Sequence, residues 1–116
     1  MPSVKIIPAE AGPDPLRESL LRVIEPFKYG DKFVPAVPPE ALGDPTFTRD
    51  HGIKYAYVTG AMANGIASET LVEAVAKAGM LGFFGSAGLS IERITAAIDR
   101  LQASLGSLPH GFNLIH

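Results

Sequence analysis

The chain has 116 residues, 47% of them hydrophobic and 19% charged, with a net charge of −2 and a mean hydropathy of +0.20. There is no basic excess to hold a phosphate backbone, and without cysteine there can be no disulfide, thiolate nucleophile or Cys-ligated metal. No apolar run reaches the ~18 residues of a membrane span. The start, Met1-Pro2-Ser3-Val4-Lys5, does not read as a signal peptide, so the expected setting is cytoplasmic.

Composition changes near residue 50. Nine of the 10 prolines lie at or before Pro45, and nine of the 12 glycines at or after Gly52. Residues 1–50 therefore read as a proline-rich arm without a core of its own, and 51–116 as regular structure with tight turns. Within the arm, Pro15 suits a first helical turn, Leu16, Leu20, Leu21, Val23 and Ile24 follow at roughly helical spacing, and Pro26 ends the run. Phe33-Val34 suggests a short strand, and 35–45 an extended loop.

The second part alternates. Tyr55–Ala61 is aromatic and β-branched, as for a strand. Ser68 offers a cap oxygen to a helix whose apolar face is Leu71, Val72, Val75, Ala76 and Ala78, with Gly79 at its end. Met80–Phe84 is wholly apolar, as for a strand covered on both faces. Ser90 caps a second helix, in which Ile91, Ile94, Ile98, Leu101 and Leu105 step by three and four. Gly111–Ile115 reads as a third strand. The order β-α-β-α-β implies parallel neighbours. Such a sheet is normally continued, so the open third strand is expected to favour self-association unless further strands cover it.

In parallel α/β folds chemistry sits at the carboxyl ends of strands. Three segments fall there: Gly60–Gly65, Gly85–Gly88, and Asn113 with His116. The first is small enough for a planar ligand to approach its backbone, and Met62 has a polarizable sulfur to lay against a ring. A tight turn with Met62 as core filler explains the same residues. The second reads equally as a capped turn, and Asn113 as an amide bonding its neighbours. His110 lies at the opposite end of its strand, and His51 in the connection. No paired carboxylates, triad, GxGxxG, GxxxxGK[ST] or metal spacing is present. No catalytic residue is identifiable.

The segments PPEALGDPTFTRDHGIKYAYVTGAMANGIASETLVEAVAKAGMLGFFGSAGLS and HGFNLIH resemble the trans-acting, flavin-dependent enoyl reductases of polyketide and polyunsaturated fatty acid synthases. These belong to the nitronate monooxygenase-like flavin barrels. The resemblance implies the N-terminal part, about three βα units, of a (β/α)8 TIM barrel. It implies FMN at the carboxyl face, NADPH as co-substrate, and an enoyl thioester carried by an acyl carrier protein. It assigns Ala61, Met62 and Ala63 to the turn against the isoalloxazine, Gly85 and Ser86 to the flavin's edge, and Asn113 to its polar rim. A whole barrel needs ~250 residues, so this chain alone is expected to hold FMN poorly and to be inactive. Two other readings are a nitronate monooxygenase-like flavoenzyme and a non-catalytic interaction piece.

Overall fold

A computed structural model describes residues 3–114 and divides the chain into two compact units, one ending at Leu42 and the other starting at Gly43.

The first unit is more regular than its prolines suggest. Strand β1 (Lys5–Ile7) runs parallel to β2 (Phe27–Tyr29), which pairs antiparallel with β3 (Lys32–Val34). Helix α1 (Pro13–Leu21) connects β1 to β2. It starts on Pro13, where a missing N–H costs nothing, and stops before the stretch carrying Val23 and Ile24. Contrary to the coreless arm expected from composition, Ile7 and Phe27 are buried, as is Ser19 of α1. Tyr29 fastens the unit by donating its hydroxyl to the Ala9 carbonyl at 2.8 Å. A short 3-10 turn, Pro39–Ala41, interrupts the expected loop.

The second unit opens with a helix that hydropathy does not show, α2 (Pro45–His51). Its signals are local: Asp44 Oδ1 accepts from the Thr46 N–H at 2.8 Å, Pro45 takes the first position, and Gly52 ends it at φ 65°. The Thr46 N–H holds the Asp44 carboxyl below its ordinary range. The boundary between units thus lies before this helix rather than at residue 50.

Strands β4 (Val58–Thr59), β5 (Leu81–Phe84) and β6 (His110–Phe112) form a parallel sheet in chain order. Helix α3 (Glu69–Lys77) joins the first two and α4 (Ile91–Leu105) the last two. The strand expected over Tyr55–Ala61 shrinks to two residues. The N–H groups of Lys54 and Tyr55 both turn to the Gly79 carbonyl, so they are lost to the ladder. The helix ends fall where their caps predict. Ser68 Oγ accepts from Leu71 N, and Ser90 Oγ from Arg93 N, each at 3.2 Å. Gly79 (φ 85°) closes α3 by bonding Ala76 O while Met80 bonds Val75 O, the pairing of a Schellman cap.

The core lies between the sheet and its two helices. Phe84 packs with Val72, Ala76, Ala97, Leu101 and Leu105. Leu101 and Leu105 match the face expected from their spacing, but Ala97 replaces Ile91, which is 79% exposed. Ile91 is the first helical residue, ahead of the turn that reaches the sheet. The other sheet face, with Val58, Phe83 and Gly111, is only partly covered.

Among the described residues of this unit, one buried side-chain oxygen has no partner: Thr59 Oγ1, which faces the position of Gly82. Thr59→Val removes an unpaired hydroxyl without changing shape. It is expected to raise stability by about 1 kcal/mol in urea unfolding. An unchanged or lower midpoint would show that the hydroxyl is satisfied.

Candidate functional site

The described residues of each segment expected at the carboxyl ends of the strands are found there. Ala61, Met62 and Ala63 follow β4, Gly85 and Ser86 follow β5, and Asn113 is the first residue after β6. His116 lies outside the described residues. His110 stands at the start of β6 with Nδ1 2.9 Å from Leu108 O, and His51 is exposed against the Phe47 ring.

The turn after β5 is the hub that joins the other two. Toward β4, Gly85 has no room for a side chain: a Cβ would lie 1.5 Å from the Met62 carbonyl oxygen. Three backbone bonds tie these turns together, and a fourth closes the first turn on itself. Asn64 N–H donates to Ala87 O and Gly65 N–H to Gly85 O, both at 2.8 Å. Gly85 N–H donates to Ala67 O at 3.0 Å and Ala67 N–H to Met62 O at 3.2 Å. Asn64 adopts the left-handed region (φ 58°) to permit this. The result turns the Met62 carbonyl inward and leaves its side chain 45% exposed. Met62 is therefore not core filler.

Toward β6, the Ser86 N–H donates to Asn113 Oδ1 at 2.8 Å. The Ser86 hydroxyl lies 3.0 Å from the same oxygen and also against the Asn113 main-chain carbonyl. A backbone donor on Oδ1 fixes the orientation of the amide. Among the described residues Asn113 Nδ2 makes no hydrogen bond. An open cleft of about 360 Å³ borders this lock, lined by Ser86, Gly88, Leu89, Ile94 and Asn113 among others.

Two residues that sequence reasoning does not single out stand behind these turns. Glu69, 6% exposed, opens α3, and Arg93 lies in the first turn of α4. The guanidinium grips the carboxylate with both nitrogens, the Nη2–Oε2 arm at 2.9 Å. It also lies 5.5 Å from the centre of the Phe84 ring. The Arg93 hydrogen bonds hold the Glu69 carboxyl below its ordinary range, against the opposing effect of burial. The two residues are 24 apart in sequence, so no local pattern links them.

A larger cleft of about 460 Å³ lies beside α2. Its carboxylates are already used: Asp44 caps the helix, and Asp50 pairs with Arg49. Among the described residues no group of His, Asp and Glu could hold a metal ion, and no helix is long and apolar enough to cross a membrane.

The cluster at the strand ends can offer a closely approachable backbone, an apolar thioether and a fixed amide. Among the described residues it contains no acid–base pair. These are means of binding and orienting a group rather than of proton transfer.

The chain is similar to several known proteins. The polyketide biosynthesis protein ThaF of Burkholderia thailandensis is 49% identical over 82 residues, 70% of this chain and 7% of that protein. The polyketide biosynthesis protein PksE of Bacillus subtilis is 36% identical over 127 residues, 93% of this chain and 17% of that protein. The crystal structure of the enoyl reductase domain of MlnA, from the macrolactin biosynthesis cluster of Bacillus amyloliquefaciens, superposes with a TM-score of 0.64 at 45% identity. It covers 66% of this chain and 18% of that one. This chain thus spans a small fraction of its relatives, and its parallel βαβαβ unit is the N-terminal part of a (β/α)8 barrel. The family model for nitronate monooxygenase matches residues 45–116, the whole of that unit from the first residue of α2 onward, and the chain belongs to the nitronate monooxygenase family.

Proposed function

We propose that this chain supplies the N-terminal, flavin-facing portion of a cytoplasmic, FMN-dependent and NADPH-using enoyl reductase. That enzyme acts in trans on enoyl thioesters borne by an acyl carrier protein, in polyketide or polyunsaturated fatty acid synthesis. The observation that carries this reading is the 45% identity to a solved enoyl reductase domain.

The residues present fit a flavin in kind. Ala61, Met62 and Ala63 would offer a flat, apolar surface to its ring system, with the exposed Met62 thioether in van der Waals reach of an aromatic face. Gly85 and Ser86 would lie at its edge. Asn113, whose Oδ1 is held by Ser86, would direct its two Nδ2 donors to an acceptor on the polar rim. Bound FMN would supply the hydride relay between NADPH and the β-carbon of the enoyl thioester. The turns contribute orientation: their mutual hydrogen bonds hold the binding backbone in place before a ligand arrives.

The test uses the full-length protein that carries this chain. It is expected to be yellow with FMN and to reduce a crotonyl thioester with NADPH. Met62→Trp is expected to abolish both properties by placing an indole where the ring system lies. A colourless parent protein, or a Trp variant with full reductase activity, overturns the reading. The matching family model favours a second reaction on the same barrel, nitronate oxidation. Oxygen consumption with a propionate nitronate, and no turnover of crotonyl thioester, would establish that reaction instead.

A further inference from the structure

Two bidentate ion pairs join α3 to α4, and they are not equivalent. Arg100 binds Glu73 at 2.9 and 3.0 Å and also reaches Thr70, while Ser104 adds a third bond to Glu73. This network lies along the helix bodies and already ties them together. The second pair, Glu69–Arg93, lies at the other end, in the first turns. Glu69 follows directly on the Ser68 cap, and the N–H of Arg93 is itself the group capped by Ser90. Each partner is therefore the first rigid point after one of the two turns that meet at Gly85. The guanidinium further rests on Phe84, the residue before Gly85, which is fully buried.

We propose that Glu69 and Arg93 are positioning residues: their ion pair sets the register between the turn over 60–67 and the turn over 85–90. The helix bodies have a separate clamp in Glu73, Arg100 and Ser104, so the Glu69–Arg93 pair is spare for packing. Its own effect is local, on the bonds Asn64–Ala87, Gly65–Gly85 and Ser86–Asn113. That these turns face a flavin rests on the function proposed above, whereas the positioning itself does not.

Amide hydrogen exchange on the full-length protein that carries this chain, without added flavin, separates the two. Glu69→Gln keeps the shape of the side chain and removes its charge. It is expected to speed exchange at the Asn64, Gly65 and Ser86 amides about tenfold, as for loss of a charge-assisted hydrogen bond. The amides of Ala76 and Leu101 are expected to be unaffected. Glu73→Gln, which breaks the other pair, is expected to leave the turn amides unchanged. If Glu69→Gln does not fold, Arg93→Lys decides in the same way, because it keeps the charge and loses the planar fork. Equal acceleration of the turns in both Gln variants overturns the proposal, as does uniform acceleration of turns and core. So does a parent chain whose turn amides show no protection. Failure of FMN to bind the full-length protein would instead count against the flavin reading alone.

Discussion

Gly85→Ala is expected to destabilise the second unit by more than about 3 kcal/mol. The added Cβ would stand 1.5 Å from the Met62 carbonyl oxygen, 2.5 Å from its carbon and 3.3 Å from Ala63 N. All three are backbone atoms, so no rotamer change relieves the clash. Nor can Gly85 easily move away, because its N–H is bound to Ala67 O and its carbonyl receives Gly65 N–H. Both turns must separate, and the bonds between them are lost. Gly60→Ala is the matched control: it lies in the same region and a Cβ there meets nothing within 4 Å. Its effect is expected to stay within about 0.5 kcal/mol. Urea unfolding of both variants checks the pair, and similar midpoints for the two would refute the close approach.

Phe84→Ala is expected to cost about 3–5 kcal/mol, the range for truncating a buried aromatic side chain. Phe84 is inaccessible to solvent and lies in one buried cluster with five side chains from both helices. It also packs edge-on against Phe112, with ring centres 5.6 Å apart. A small domain has a total stability of only ~5–15 kcal/mol, so the loss takes a large share of it. The variant should show a much earlier unfolding transition, and Arg93 should lose the surface on which it rests. Ile91→Ala in the same fold is expected to change stability by less than about 0.5 kcal/mol, since that side chain is exposed. Comparable losses from Phe84→Ala and Ile91→Ala would mean that α4 presents the face drawn from its periodicity instead.

The exposure of Ile91 shows how far periodicity reaches. The steps of three and four in α4 identify Leu101 and Leu105 correctly, because residues spaced that way share a side of any helix. Periodicity cannot say where along the helix the sheet begins, and Ile91 lies before it. Likewise the aromatic, β-branched run from Tyr55 reads as a long strand. Only two residues pair, because the Gly79 carbonyl takes the preceding N–H groups. The first unit is the least legible. Its strands have three residues each, too short for alternation to register, and prolines dominate its composition. The α2 start, Asp44-Pro45, is a readable signal that the hydropathy pattern obscures.

Local chemistry is enough to set the order of the second unit and its helix caps. Ser68, Gly79 and Ser90 act on groups within a few residues, and so does the alternation of apolar segments with glycine turns. The same pattern also dictates which turns stand at the carboxyl ends of the strands, since a parallel order leaves no other arrangement. What those turns do to one another emerges only when the sheet assembles. Gly85 is required because a carbonyl 23 positions earlier lies against it. Asn113 is fixed by a serine 27 positions away, and Glu69 is neutralised by an arginine 24 positions on. Contacts at such separations depend on how whole strands and helices stack. A cap or a period is a property of neighbours in the chain, but a cluster built by three turns is a property of the sheet that brings them together.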